Sequence, residues 1–339
     1  MMAPGASRDE TAPNVPARRT GVFFATLIAC LVVAVPVTLP QAFRLELVPG
    51  FAQVVALRGP LALGFFVIAV LAGLIAALRR RWSLAAGIAI AALVAGAGNA
   101  GILWSRSVGA PSLKGDLVVL TWNTQGGATG TGDIAELVHS SGASIVSLPE
   151  MDEKAAGEVA RLVEELGGPV MFHDTVYGDS TIPTSVLIAE SLGDYAWRET
   201  AGSTPGLPSG VWEPVDHDGP LIVVAHPYPP LPSGMAHWRE GLRWVASWCD
   251  EPRVIVAGDL NATVDHLSNL SGMEGCTDAA ATTGAGARGT WPSTVASWLA
   301  SPIDHVLVGR DWAVRGSSVI EETAGGTDHR ALVAVLAER

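Results

Sequence analysis

Along the first third of the chain the apolar positions form unbroken runs. Residues 22–39, VFFATLIACLVVAVPVTL, carry no charge over about one bilayer-spanning length. Residues 59–78, GPLALGFFVIAVLAGLIAAL, form a second such run. Residues 82–104, WSLAAGIAIAALVAGAGNAGILW, form a third, with a Trp at each end where interfacial anchors would sit. Buried helices of a soluble domain would need polar faces that these runs lack. The pattern predicts an N-terminal tail over 1–21 and three transmembrane helices within 22–104. Arg18 and Arg19 would suit the start of a signal peptide. No A-x-A-like site follows, however, and two more spans come after, so the first run reads as a retained helix.

After a linker over 105–114 the pattern shortens, and residues 115–339 read as a separate domain. LVVLTW (117–122) is a short, β-rich apolar run, and ASIVSLPE is a second strand ending at Glu150. Residues 133–141 and 152–166 have helical spacing. TSVLIAE, PLIVVAHP, RVIVAGDLN, SPIDHVLV and RALVAVLAE read as further strands, with a Trp-rich helix over 237–249. Interleaved strands and helices, some strands adjacent as in hairpins, predict an α/β sandwich with mixed sheets.

Composition agrees with the runs: 49% of residues are hydrophobic and the mean hydropathy is +0.34, too high for an ordinary soluble domain. Charge adds orientation. Arg8, Arg18 and Arg19 precede the first span and Arg79, Arg80 and Arg81 separate the second from the third, so both sets are expected in the cytoplasm. The loop between spans 1 and 2 has only Arg44 and Arg58, with Glu46 offsetting. Three spans that start inside end outside. The expectation is a multi-pass cell-membrane protein whose C-terminal domain is extracytoplasmic. Residues 1–112 carry 9 Arg and no Lys against 3 acids, a net +6, and residues 113–339 carry 12 basic residues against 30 acids, a net −18. So acidic a domain lacks the basic footprint that binding a nucleic-acid backbone requires. Of three cysteines, Cys30 lies in a span. Cys249 and Cys276 can pair in an oxidising compartment or remain free, and no Cys/His zinc spacing is present.

The polar residues of the outer domain fall at strand ends. Asn123 follows LTW, Glu150 follows SLP, His226 follows VVA, and Asp259 and Asn261 follow VIVAG. Asp304 and His305 open HVLV, and Asp328 and His329 precede the last strand. A single strand-terminal Asp is ordinarily a turn or helix cap. A whole set of Asn, Asp, Glu and His in such places predicts one cluster at a sheet edge, suited to a hard divalent cation and phosphate chemistry.

LTWNTQGG, SLPE, AHPYPP, GDLNAT, GTWP, SPIDHVLV and GTDHRALVA occur in the order and character of the endonuclease/exonuclease/phosphatase superfamily, which the chain resembles over about residues 115–337. The resemblance implies a four-layer α/β sandwich with two mixed β-sheets. Three spans before such a domain further resemble actinomycete membrane proteins associated with teicoplanin (antibiotic) resistance. The superfamily pattern implies Glu150 as metal-binding carboxylate, with Asn123 beside it and Asp328 as a second carboxylate near the metal. It implies Asp259 as the group that orients or deprotonates water, and Asn261 as amide donor to a phosphate oxygen. It implies His329 as the phosphate-facing imidazole held by Asp304, and His226 as a candidate proton donor to the leaving oxygen. Carboxylates with Asn suit Mg²⁺, with Mn²⁺ as the alternative.

Two departures stand out. Pro149 precedes Glu150 where relatives commonly have Gln, and the sequence shows no acidic partner for His226, with Asp179 and Glu190 the candidates considered. His139, His173, His217, His237, His266 and His305 read as surface or structural residues, and Trp238, Trp244 and Trp248 as core or membrane-facing ones. Trp291 in GTWP reads equally well as pocket lining. The expected function is a membrane-anchored, Mg²⁺-dependent phosphohydrolase acting on a phosphate ester or diester, with a lipid-linked phosphate favoured by location. The alternative is an extracytoplasmic nuclease, against which the negative charge argues. A non-catalytic binding domain would be expected to have lost part of the cluster.

Overall fold

The computed structural model describes residues 15–79, 82–109, 115–178, 182–216, 218–321 and 326–339. Arg8, Arg80, Arg81, Asp179, His217 and half of the expected linker lie outside the described residues. The chain divides into two compact units, one of residues 1–39 and 61–99, the other of residues 40–60 and 100–339.

In the first unit, α1 (Val15–Thr38) and most of α3 (Arg58–Arg79) and α4 (Trp82–Ser107) are helices; a short α2 (Phe51–Val55) belongs to the second unit. Three stretches, Arg18–Thr38, Arg58–Leu78 and Ser83–Ser107, are long and apolar enough to cross a membrane. Small residues let the helices approach: a Cβ on Gly87 would lie 3.0 Å from the Phe23 carbonyl oxygen. Phe24, Ile28, Val32, Leu74 and Leu78 are exposed, as a helix long and apolar enough to cross a membrane would present them. Inside, the Asn99 amide donates to Thr38 Oγ1 at 3.2 Å and to the Ala95 carbonyl at 2.9 Å, so a polar side chain within an apolar helix is hydrogen-bonded.

The second unit is built on two six-stranded mixed sheets. β1 (Leu117–Thr121), β2 (Ile145–Pro149), β3 (Met171–Val176), β4 (Thr184–Ala189), β11 (Trp312–Val319) and β12 (Leu332–Glu338) make the first, in the order β11-β12-β1-β2-β4-β3. β5 (Tyr195–Trp197), β6 (Gly210–Pro214), β7 (Leu221–Ala225), β8 (Val254–Asp259), β9 (Thr277–Asp278) and β10 (Asp304–Val308) make the second, in the order β5-β6-β7-β8-β10-β9. Each sheet contains one parallel pair, β1 with β2 and β7 with β8, and the remaining pairings are antiparallel.

The four-layer expectation holds because both faces of each sheet are apolar. Val119, Ile145, Val186, Ile222, Ile255 and Val306 form the core between the sheets. Leu120, Val146, Leu148 and Leu187 face α5 (Thr131–Ser141) and α6 (Glu153–Glu165), which bury Ile134, Val138, Val159 and Val163. On the far side Val223, Val254 and Val256 pack on α7 (Met235–Ser247) through Trp238, Leu242 and Val245. Trp238 is fully buried and Trp244 and Trp248 pack partly buried around it, so the Trp-rich helix is core.

Residues 40–60 fold with the second unit, a role the sequence reading did not give to a connection between spans. Ala52 of α2 is fully buried in the core around α7. Cys249 and Cys276 form a disulfide, which settles their pairing.

Candidate active site

Parallel pairs carry their strand ends to one edge, and at that edge the polar residues gather. Asn123 follows β1 and Glu150 follows β2 in the first sheet; His226 follows β7, Asp259 ends β8 and Asp304 opens β10 in the second; Asp328 and His329 lie just before β12. Register explains the pairing of Asp304 with the GDLN turn, since Asp304 stands opposite Asp259 in the antiparallel ladder. Residues from both sheets line a cavity of about 540 Å³ that includes Asn123, Glu150, His226, Asp259, Asn261, Asp328 and His329.

Asp259 is the hub. Its Oδ2 accepts from Asn123 Nδ2 at 3.0 Å and lies 3.7 Å from His329 Nε2 and 3.9 Å from His226 Nε2. Its Oδ1 accepts the Asn261 backbone N–H at 2.9 Å. The same Asn123 amide donates to Glu150 Oε1 at 3.1 Å, so one side chain ties the two sheets' carboxylates together. Asn261 donates one amide N–H to the Pro227 carbonyl at 3.0 Å, and the group's second N–H is the one that can serve a phosphate oxygen. His329 Nδ1 donates to Asp304 Oδ2 at 2.9 Å, which fixes the orientation of the ring. Gln125, Glu150 and Asn261 have φ of 49°, 64° and 49°, the left-handed region that non-glycine residues rarely adopt, and all three line the cavity.

The electrostatics divide the two histidines. Burial holds His226 below its usual range, against the pull of Asp259, so the ring is neutral at neutral pH. Burial would also lower His329, but Asp304 and Asp259 outweigh it and raise the imidazole to about 9. Burial pushes the Asp259 carboxyl above the ordinary range, opposed by His329, His226 and the Asn123 hydrogen bond. Of the two rings, His329 is the one whose surroundings favour the protonated form. Carboxylates do face His226, but not within hydrogen-bond reach: Glu150 Oε1 is 3.8 Å from Nε2, and Nδ1 has no hydrogen-bond partner among the described residues. Glu190, a partner considered from sequence, is exposed just after β4.

The donor set fits a hard divalent cation. Glu150, Asp259 and Asp328 with the Asn123 amide present oxygen ligands around one cavity. Asp304 Oδ1 is buried beside them without a hydrogen-bond partner among the described residues. Ligand atoms of Asp259, Asp304 and His329 converge within 4.8 Å of one another, a grouping different from the Glu150, Asp328 and Asn123 set expected from sequence.

Four contributors escaped the sequence reading. Gln125 lines the cavity, and its Oε1 accepts the Asp328 backbone N–H at 3.1 Å. Thr290 Oγ1 accepts the backbone N–H of Asp304 at 3.2 Å, and Thr327 Oγ1 donates to the Asn123 carbonyl at 2.8 Å. Each stands inside a motif, LTWNTQGG, GTWP or GTDHRALVA, and that neighbourhood is the signal that marks it. The fourth is the stretch Gln53–Leu57, for which no local signal existed. Trp291 proves to be pocket lining: its N–H donates to Asp328 Oδ2 at 2.8 Å. His305 and His266 are buried and hold carbonyls of Ala262 and Ala52, as structural residues do.

A family profile, the Endonuclease/Exonuclease/phosphatase family, matches residues 120–329. The chain belongs to this family, whose members are divalent-metal-dependent hydrolases of phosphoester bonds. Among solved structures it is similar to an endonuclease/exonuclease/phosphatase from Beutenbergia cavernae, at 16% identity and a TM-score of 0.50 over 66% of this chain and 72% of that one. It is also similar to a mannosyl-6-phosphatase from Bacteroides thetaiotaomicron, at 14% identity and a TM-score of 0.47 over 65% and 99%. A third is D. rerio TDP2 complexed with a single-strand DNA product, at 14% identity and a TM-score of 0.49 over 65% and 98%. These identities speak to the fold alone. No curated protein matches the sequence.

Proposed function

We propose that this protein is a membrane-held, divalent-metal-dependent phosphohydrolase that acts on a lipid-linked phosphate at the extracytoplasmic face of the cell membrane. The observation that carries the reading is the convergence of Asn123, Glu150, Asp259, Asn261, Asp328 and His329 from two sheets onto one cavity. In this reading Asp259, made more basic by burial, orients the attacking water and takes its proton. The water oxygen bonds to phosphorus, and the bond from phosphorus to the leaving oxygen breaks with its electron pair. The leaving oxygen takes a proton from the His329 imidazolium, which Asp304 orients. The Asn261 amide donates to the phosphate oxygen on which charge grows. His226, neutral, stands with Nε2 3.8 Å from Glu150 Oε1 and 3.9 Å from Asp259 Oδ2. Glu150, Asp328 and Asn123 would hold Mg²⁺ or Mn²⁺, which supplies Lewis-acid polarisation of the phosphate when bound.

The extracytoplasmic placement is supported by the arginines that flank the spans and by the Cys249–Cys276 disulfide, which suits an oxidising compartment. The test uses the full chain in lipid nanodiscs, wild type beside Asp259→Ala, with Mg²⁺ or EDTA. Substrates are undecaprenyl phosphate and pyrophosphate, phosphatidic acid and plasmid DNA. Metal-dependent phosphate release from a lipid that Asp259→Ala abolishes is the expected result. Nicked plasmid with every lipid untouched would replace the reading with a nuclease, and no turnover at all would overturn both.

A further inference from the structure

The cavity has two kinds of wall. One is the polar cluster; the other is apolar and is made by Leu207, Leu231, Ile303, Trp291 and, from between the first two apolar helices, Ala56 and Leu57. A phosphate needs only the first wall. Leu57, Leu231 and Trp291 remain 38%, 49% and 39% exposed beside it, an arrangement that leaves apolar surface open where a ligand would enter.

The segment that supplies Ala56 and Leu57 is fastened in place. Asp265, four residues past Asn261, is 3% exposed and accepts two arginines in bidentate fashion. Arg58 Nε and Nη2 reach its two oxygens at 2.6 and 2.8 Å, and Arg106 Nη1 and Nη2 do so at 2.9 and 2.6 Å. His266 Nε2 meets the Ala52 carbonyl at 2.9 Å, Asn269 Nδ2 donates to the Gln41 carbonyl at 2.9 Å, and Gln53 Nε2 donates to the Pro230 carbonyl. Gly59 passes so close to the Trp298 carbonyl that a Cβ there would lie 1.9 Å from its oxygen. A connection between two helices of this kind has no need of such fastening unless its position matters.

We propose that the segment Pro40–Pro60 is the specificity wall of this site. It positions Ala56 and Leu57 to receive the hydrocarbon chain of an amphiphilic phosphate whose phosphate group lies at Asp259 and Asn261. The inference rests on the reading of the site as a phosphoester-cleaving centre, but it predicts something that reading does not: recognition of the chain through Leu57. Polyprenyl and acyl chains offer the same chemistry to this wall, and only experiment separates them.

The experiment uses the full chain in amphipol, with Leu57→Ser and Leu57→Met beside wild type. Binding is measured by titration calorimetry with dodecylphosphonate and ethylphosphonate, which cannot be hydrolysed. Turnover is measured with farnesyl phosphate, dioctanoyl phosphatidic acid and ethyl phosphate in Mg²⁺. Wild type should prefer dodecylphosphonate strongly. Leu57→Ser should weaken that binding and raise KM for the long-chain substrates about tenfold, with kcat little changed and ethyl phosphate unaffected, and Leu57→Met should restore both. Which of the two long-chain substrates carries the effect identifies the chain. Equal binding of the two phosphonates by wild type, or an equal loss on all substrates in Leu57→Ser, would overturn the wall. Chain-length-dependent binding without any turnover would leave the wall standing and refute the hydrolytic reading; turnover indifferent to chain length would do the reverse.

Discussion

Asp259 and Asp265 are six residues apart, both aspartates, and both almost fully buried at 2% and 3% exposure. Their surroundings give them opposite characters. Around Asp259 stand an amide and two imidazoles at 3.0 to 3.9 Å, and no Arg or Lys pairs with it among the described residues. Burial therefore dominates and raises its pKa. Burial would raise Asp265 too, but hydrogen bonds from Arg106 and Arg58 outweigh it and hold that carboxyl at about 2. One carboxylate is left buried without an arginine or lysine partner, the other is neutralised and fixed. A buried charge in a protein is thus no single kind of evidence: its partners decide whether it serves chemistry or architecture.

The comparison breaks most visibly in activity. Asp259→Ala should lower kcat/KM on any phosphoester substrate by about 10³- to 10⁴-fold. Asp259→Asn, which relieves a buried carboxylate, should hold or raise the melting temperature, and differential scanning calorimetry without metal reads this directly. A lowered melting temperature would show that Asp259 is architectural after all.

Asp265→Ala should do the opposite, because it leaves two guanidinium groups without their carboxylate. The expected cost is about 3–5 kcal/mol of stability, read by chemical denaturation, with loss of activity following the loss of folded protein. If stability is unchanged while KM rises, the two aspartates are more alike than their partners imply.

Acid separates them next. The folded-state pKa of Asp265 lies below the ordinary 3.8, so its contribution is present above about pH 4 and disappears as pH falls toward 2. It amounts to about 2 kcal/mol. His266, whose imidazole burial lowers to about 4 despite the Ala52 hydrogen bond, resists protonation that the unfolded chain accepts below about 6.5. Its part is lost earlier, between about pH 6.5 and 4. Hydrogen exchange at residues 50–58 should therefore quicken in two stages as pH is lowered, once corrected for intrinsic rates. His329 runs the other way in metal-free protein: its pKa is raised to about 9, so its contribution is full below about pH 6.5 and lost as pH climbs through 9.

The smallest effect belongs to Trp291. Replacing it with Phe removes the N–H that holds Asp328 at 2.8 Å but keeps the ring, so activity should fall by about tenfold or less with little loss of stability. A loss as large as that of Asp259→Ala would make Trp291 a reacting group's direct support.

Much of this molecule can be read from its sequence because the relevant signals are local. Apolar runs of bilayer length announce the three helices, and alternation with turn residues announces most strands. The polar strand ends at Asn123, Glu150, His226 and Asp259 are visible one strand at a time, and their common edge follows once parallel pairing is assumed. Gln125 and Thr290 were legible in principle, since they sit inside quoted motifs, but a polar residue in a turn has too many ordinary explanations to single out.

By itself, then, the sequence determined the three long apolar helices, the α/β character of the C-terminal domain and the residue types that meet at the strand ends, since hydrophobic period and turn chemistry act over a few neighbouring positions. Tertiary structure alone decided the rest. Arg58 and Asp265 are 207 residues apart, and Gln53 and Pro230 are 177 apart. No local pattern marks a connection between two apolar helices as one wall of a cavity, and His226, lowered, and His329, raised, differ through burial and the charged neighbours that folding brings near. Contact and desolvation are properties of the packed chain, and they give identical side chains different chemistry.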